Sequence, residues 1–156
     1  MLLQQVFLPG HIKVGLESVD KDELFEELVD VLARADGRNF PRAAVLRAIR
    51  EREEKLSTGI KKGIALPHGM VEGLDGLTGA LGISSRGIEY ASLDGEPVYI
   101  VFLLLTAPQD SELHLNALKH LARLLDDPEF YTELVEAKSE DQAFEIIRQF
   151  EDFVRA

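Results

Sequence analysis

The run Val98-Tyr-Ile-Val-Phe-Leu-Leu-Leu105 (VYIVFLLL) decides how the rest of the chain is read. It is eight apolar or aromatic residues long and shows no polar alternation. A strand with one face in water alternates; a strand covered on both faces does not. The run therefore predicts a central strand with packed layers on either side. The turn signal Leu93-Asp-Gly-Glu-Pro97 precedes it and Pro108 follows it.

Working outward from that strand, helical periodicity marks both ends of the chain. Asp20-Lys-Asp-Glu23 has capping-box spacing, and Leu24, Phe25, Leu28, Val29, Leu32 and Ala33 follow on one face, with Gly37 as a stop. A second helix is expected from Pro41, with Ala44, Val45, Ala48 and Ile49 inward, fading near Ser57-Thr58-Gly59. On the other side, a helix opening with Ser111 as N-cap carries Leu113, Ala117, Leu118, Leu121, Ala122 and Leu125 on one side, and Asp127-Pro128 breaks it. Further helices are expected over Glu129 to Ala137 and after the cap Ser139-Glu-Asp-Gln142, the last with Ala143, Ile146, Ile147 and Phe150 inward. Short strands are predicted at Ile64 to Leu66 and Gly79 to Ser84, with a turn at Arg86-Gly87 and another extended piece near Ile88 to Tyr90. The segment around Val6 to Leu8 reads as a short leader or edge. Strands in the middle and helices at both ends predict an α/β protein of α+β type: one domain, with a mixed central sheet between helical layers, three layers in all.

Composition bounds the function. The chain has 156 residues, 46% of them apolar, which is enough for one globular core. It has no cysteine, so disulfides, thiolate metal sites and cysteine nucleophiles are excluded. A net charge of −11 argues against nucleic acid and anionic membrane as partners. No export signal and no run near the ~20 apolar residues of a bilayer span is visible, so a cytoplasmic location is expected.

Four histidines are candidates for chemistry. In Thr58-Gly-Ile-Lys-Lys-Gly-Ile-Ala-Leu-Pro-His-Gly-Met70, His68 is pinned between Pro67, which holds Leu66 extended, and Gly69, which lets the backbone turn or approach a ligand. A neutral imidazole presented in this way is a competent nucleophile, although an ordinary turn fits the pattern too. With Ser111 as N-cap, His114 would be the third residue of its helix, where the helix dipole favours a neutral imidazole and nearby anions. His120 lies on a different face and His11 in the irregular leader; neither is assigned a role. Arg52, in Arg50-Glu-Arg-Glu-Glu-Lys55, has a guanidinium fork suited to phosphoryl oxygens, or to a solvated helix face. No phosphate-binding loop, HExxH, EF-hand or GxSxG motif occurs.

Together these segments resemble the phosphotransferase-system enzyme IIA proteins of the fructose/mannitol/nitrogen-regulatory class. Ser57-TGIKKGIALPH-Gly69 is similar to that class's active-site segment, which typically reads close to STGIGNGIAIPHG. The stretch from His114 to Phe130 resembles its later helix, and Leu93 to Pro108 the strand before it. The resemblance covers about Val19 to Phe150 and is strongest to the stand-alone nitrogen-regulatory type, so residues 1–156 are expected to form one IIA type-2 domain with its core near 19–150.

The resemblance implies that His68 accepts a phosphoryl group from an HPr-like phosphocarrier, that His114 assists, and that Arg52 offsets phosphoryl charge. It implies that Thr58 and Gly69 border the pocket. No cofactor and no metal are implied. The downstream partner would be a transporter IIB component or a regulatory target, with the protein peripheral to a membrane at most. Two alternatives share the fold: an anion-binding regulatory module without transfer, and a sugar-specific IIA component. The departure is Lys61-Lys62, where the family carries Gly-Asn or similar. Two lysines there are expected to add positive potential near the site or to be solvated and inert.

Overall fold

A computed structural model of the chain describes residues 2–37 and 39–155. Met1, Arg38 and Ala156 fall outside the described residues, and with them both outer limits of the expected domain. The order of elements is α1 (Leu3–Val6), β1 (Ile12–Val14), α2 (Lys21–Asp36), α3 (Arg42–Lys55), β2 (Gly59–Lys61), β3 (Ile64–Ala65), β4 (His68–Met70), β5 (Leu77–Ile88), β6 (Val98–Thr106), α4 (Ser111–Leu125), α5 (Pro128–Val135) and α6 (Glu140–Arg155).

The apolar run forms most of β6, which lies inside the sheet. The strand order is β1-β5-β6-β3-β2, and β4 also pairs with β6. β5 is antiparallel to β6, while β3 and β4 are both parallel to it and follow one another along its second edge. The sheet is therefore mixed. From Ile100 onward, alternate residues of β6 enter different cores, which is why the run needs no polar position. Val101, Leu103 and Leu105 pack with α2 and α3 residues such as Leu28 and Ile49. Ile100, Phe102 and Leu104 pack with Leu121, Phe130 and Ile147 from α4, α5 and α6. This is the three-layer, single-domain arrangement expected.

Local chemistry explains the helix starts. Asp20 accepts the Glu23 N–H at 3.0 Å, and Glu23 reaches back to the Val19 N–H at 3.1 Å. Ser139 and Gln142 repeat the device, with Gln142 bonding Lys138 N–H at 2.7 Å. In both, the returning side chain meets the residue before the cap. Two starts differ from expectation. Pro41 is the N-cap of α3 and not its first residue. Asp110 is the N-cap of α4, because a single 3-10 turn, Pro108–Asp110, leads directly into the helix.

Three further expectations are corrected. The N-terminal leader is folded: α1 and β1 place Leu3, Phe7 and Ile12 in the core, with Phe7 edge-on to Phe102 at 5.1 Å. Arg86-Gly87 does not end a strand. β5 continues to Ile88, and the dipeptide is absorbed in a bulge where pairing jumps from Ile83↔Ile100 to Ile88↔Val98. The strand expected over Ile64 to Leu66 ends at Ala65, and His68 opens a strand of its own, β4, separated from β3 only by Leu66 and Pro67.

The Lys61-Lys62 departure lies in the tight turn between β2 and β3. Lys62 has φ 52° and Gly63 φ 83°, the signs of a type I′ turn. Gly63 meets β6 at Tyr99 and His68 meets it at Leu104, so the turn is about 17 Å of strand away from His68. The lysines therefore stand apart from the histidine and do not border it. Asparagine tolerates the left-handed conformation better than lysine does. Lys62→Asn is expected to stabilise the fold by about 0.5–1 kcal/mol, raising the melting temperature by about 2 °C; calorimetry showing no gain would contradict this reading of the turn.

Candidate functional site

Three elements bring His68, His114 and Arg52 together: the start of β4, the first turns of α4 and the last turn of α3. They line a cavity of about 370 Å³ together with Gly69, Met70 and Lys55. A larger depression of about 640 Å³ between α5 and α6 is lined by residues including Glu133, Glu136, Lys138 and Glu145, and offers no nucleophile.

The local sequence fixes His68. Pro67 cannot donate to the sheet, but its carbonyl accepts the Leu104 N–H at 3.1 Å, which holds β4 in register. Gly69 is buried against α3: a Cβ there would lie 3.3 Å from Ala48 Cβ. The His68 ring turns back on its own chain, and Nδ1 lies 2.8 Å from the Leu66 carbonyl oxygen. A carbonyl only accepts, so Nδ1 carries the proton and the neutral ring keeps its lone pair on Nε2.

His114 is 5% exposed. It is the fourth residue of α4, one position later than expected, so its own N–H is not among the free amides at the helix start. It lies on the same buried face as Ala117, Leu121 and Leu124. Its Nδ1 shares a hydrogen bond with the Thr106 hydroxyl at the end of β6. The two imidazoles face each other with ring centroids 5.2 Å apart, tilted by 52°.

The electrostatics keep both rings neutral at pH 7. Burial holds the His68 pKa below the ordinary histidine value; the Leu66 carbonyl opposes this, the Arg52 charge adds to it, and Glu53 opposes it more weakly. His114 is pushed down to about 4, first by burial and then by His68. The expected neutrality of His114 is thus met by a different cause: desolvation and a neighbouring imidazole take the place of the helix dipole.

Arg52 contributes a guanidinium to the cavity, with one N–H given to the Leu56 carbonyl at 2.8 Å. Thr58 is placed elsewhere. It is 3% exposed and is not among the cavity's lining residues, and its hydroxyl bonds Glu53 at 2.6 Å and Tyr90 at 2.7 Å. His120 pairs with buried Glu151 at 2.7 Å, and His11 meets the Gly79 carbonyl oxygen at 2.9 Å. Sequence reasoning missed Glu53 and Thr106. Glu53 continues the buried face of Val45 and Ile49 one turn further on, a phase that a carboxylate does not usually occupy. Among the described residues, no group of three or more His, Asp or Glu is placed to hold a metal ion.

A protein-family model described as "Phosphoenolpyruvate-dependent sugar phosphotransferase system, EIIA 2" matches residues 5–150. The fructose-specific EIIABC component of Bacillus subtilis is 38% identical over 96% of this chain, which spans only 23% of that relative. A nitrogen regulatory protein of Bradyrhizobium diazoefficiens is 30% identical, covering 94% of this chain and 95% of its own. Among solved structures, nitrogen regulatory protein IIA-Ntr from Neisseria meningitidis superposes with a TM-score of 0.85 at 28% identity, covering 93% of this chain and 98% of that one. Enzyme IIAMTL from Escherichia coli, in its complex with phosphorylated IIBMTL, shares the fold with a TM-score of 0.75 at 17% identity, over 90% of this chain and 95% of that one.

Proposed function

Since the chain belongs to the EIIA type-2 family of the phosphoenolpyruvate-dependent sugar phosphotransferase system, a family of phosphotransfer components, we propose that it accepts a phosphoryl group on Nε2 of His68 from a phosphorylated HPr-like carrier. The observation that carries this reading is the Nδ1–H bond to Leu66, which leaves Nε2 unprotonated in a cavity shared with a guanidinium and a second neutral imidazole.

The step is a displacement at phosphorus. The Nε2 lone pair forms the new N–P bond as the bond from phosphorus to the donor's leaving atom breaks. Nδ1 keeps its proton, so the ring takes up positive charge, which the Leu66 carbonyl dipole stabilises. Arg52 offsets the charge on the equatorial oxygens. With the Thr106 hydroxyl donating to Nδ1 of His114, Nε2–H of His114 is free to donate to a phosphoryl oxygen. Gly69 gives this pocket its wall beside Ala48. Thr58 stands behind it, bonded to Glu53.

The phosphoryl group then passes to a transporter IIB component or sets the state of a regulated protein. Relatives of both the fructose-specific and the nitrogen-regulatory kind support these two routes. The whole of residues 1–156 acts as one IIA domain in this reading. Its place is cytoplasmic, beside its carrier; no helix among the described residues is long and apolar enough to cross a membrane.

The test is intact mass after incubation with a phosphorylated carrier. Wild type is expected to gain one phosphoryl group and His68→Ala none. A gain that survives in His68→Ala would remove His68 from the reading. No gain by wild type with any HPr-like carrier would favour the anion-binding module.

A further inference from the structure

Arg52 and Glu53 adjoin in sequence but lie about 100° apart around α3, so their side chains leave the helix on different faces. Arg52 lines the cavity, while Glu53 is 7% exposed and turned into the protein. Its carboxylate is fully occupied. Oε1 accepts the Thr58 hydroxyl at 2.6 Å and the Tyr90 hydroxyl at 3.1 Å. Oε2 accepts the Thr58 N–H at 2.9 Å and pairs with Lys21 Nζ at 3.0 Å. Lys21 also sits over the Tyr90 ring, 4.6 Å from its centroid.

These contacts continue to the imidazole. The Thr58 carbonyl oxygen accepts the Leu66 N–H at 3.0 Å, and the Leu66 carbonyl oxygen accepts Nδ1–H of His68 at 2.8 Å. Three hydrogen bonds in series thus lead from the carboxylate through two backbone units to the ring. Leu66 precedes a proline, so its extended conformation, and with it the direction of its carbonyl, is already restricted. The Thr58 bond fixes the remaining freedom.

We propose that Glu53 is the positioning residue of this site: through Thr58 and Leu66 it holds His68 in the Nδ1–H form, and its negative charge behind the ring stabilises the positive charge that phosphorylation places on the imidazole. The catalytic part of this proposal rests on the phosphoryl-relay reading above; the effect on the free imidazole does not. The carboxylate is well suited to the task. Burial alone would raise its pKa, but the Thr58 hydroxyl and N–H and Lys21 outweigh burial and hold it below the usual glutamate value. It therefore stays ionised across the range in which histidine titrates. Opposed to it around His68 are Arg52 and Lys55 of α3, with Glu51 of the same helix and His114 of α4 also facing the cavity. On its far side Glu53 meets Lys21 of α2, with Asp22, Arg50 and Glu54 nearby.

The test uses the full chain with nitrogen-15 in its histidine rings, following tautomer and titration midpoint of His68 by NMR. Glu53→Gln is expected to move the midpoint to lower pH and to reduce the excess of the Nδ1–H form. Lys21→Met, which leaves the carboxylate less compensated, is expected to move the midpoint to higher pH. Glu53→Asp is expected to return it toward wild type. A merely structural role would shift the first two variants in the same direction or not at all, and either result overturns the proposal. If Glu53→Gln fails to fold, the direction of the Lys21→Met shift decides alone. With phosphorylated carrier present, Glu53→Gln is expected to reach about three- to tenfold less phosphoprotein at equilibrium, the effect of one charge at moderate distance in a partly screened site. A wild type that titrates as expected but never takes a phosphoryl group would defeat the relay reading and leave the positioning of the ring intact.

Discussion

Arg52→Ala is expected to slow phosphoryl transfer to His68 about a hundredfold, while Arg50→Ala leaves it within about twofold. The two arginines share a helix, a charge and a charged sequence context, so the difference isolates position. Arg52 lines the cavity beside His68 and influences its charge state. Arg50 lies on another side of α3, its nearest acid being Asp22 of α2 at 3.9 Å. A guanidinium beside the transferring group stabilises charge spread over phosphoryl oxygens, and losing one such donor in a partly desolvated site removes roughly 3 kcal/mol of barrier lowering. A second readout has a fixed sign. The Arg52 cation disfavours imidazolium, so its removal raises the His68 pKa and moves the acid limb of the rate profile to higher pH. Arg52→Lys keeps the charge without the fork and is expected to fall between wild type and alanine. Transfer rates at saturating carrier, taken from pH 5 to 8, check both effects. Equal losses in the two alanine variants, or an acid limb that does not move, would show that Arg52 does not face the reacting group.

What the sequence revealed of this site, and what it hid, follows from how each part is stabilised. β6 was legible because burial on both faces leaves an unbroken apolar run. α2 was legible because its cap and inner stripe are both local. β1, β4 and α1 have three or four residues each, too few for periodicity, and they are held by pairing and burial that no local pattern encodes. The continuity of β5 was hidden by Arg86-Gly87, since a dipeptide suited to a turn serves a bulge equally well. At the site, His68 stood out through Pro67 and Gly69, whereas Arg52 was distinguished from its charged neighbours only by family resemblance. Two further residues carried a signal in helical phase. Glu53 follows Val45 and Ile49 on the buried face of α3, and His114 precedes Ala117, Leu121 and Leu124 on that of α4. The face expected for α4 began at Leu113, one residue out of phase, and placed exposed Ala122 inward. A titratable residue in register with a core stripe is costly to bury without partners, and here both have them: Thr58, Tyr90 and Lys21 for Glu53, Thr106 for His114. Those partners lie on other segments of the chain, so the pairing becomes visible only in three dimensions.

His114 also gives the fold an acid sensitivity of predictable sign. Its pKa is pushed from 6.5 to about 4 in the folded protein, first by burial and then by His68. Below pH 6.5 the unfolded chain takes up a proton that the folded chain refuses until near pH 4. The unfolded state then binds more protons, so stability rises with pH across this window. The stability associated with neutral His114 is complete above pH 6.5 and is lost progressively as pH falls toward 4, by on the order of 3 kcal/mol. His114→Gln retains a polar partner for Thr106 but has no proton to gain. Its urea midpoint is therefore expected to fall less steeply than that of wild type between pH 6.5 and 4, even where the variant is less stable at pH 7. The depressed carboxylates Glu27 and Glu53 lose their contributions only as pH falls through their own lower pKa values, and they are common to both proteins. His68 shifts in the same direction as His114 and is likewise present in both. Parallel curves for the two proteins would mean that His114 is as free to protonate as an exposed histidine. That result would also remove the neutral imidazole on which its proposed part in phosphoryl transfer depends. With steeper acid loss in wild type, His114→Gln is further expected to slow phosphoryl acceptance without abolishing it, because the proposed Nε2 nucleophile remains on His68 while one proposed donor to the phosphoryl oxygens is weakened.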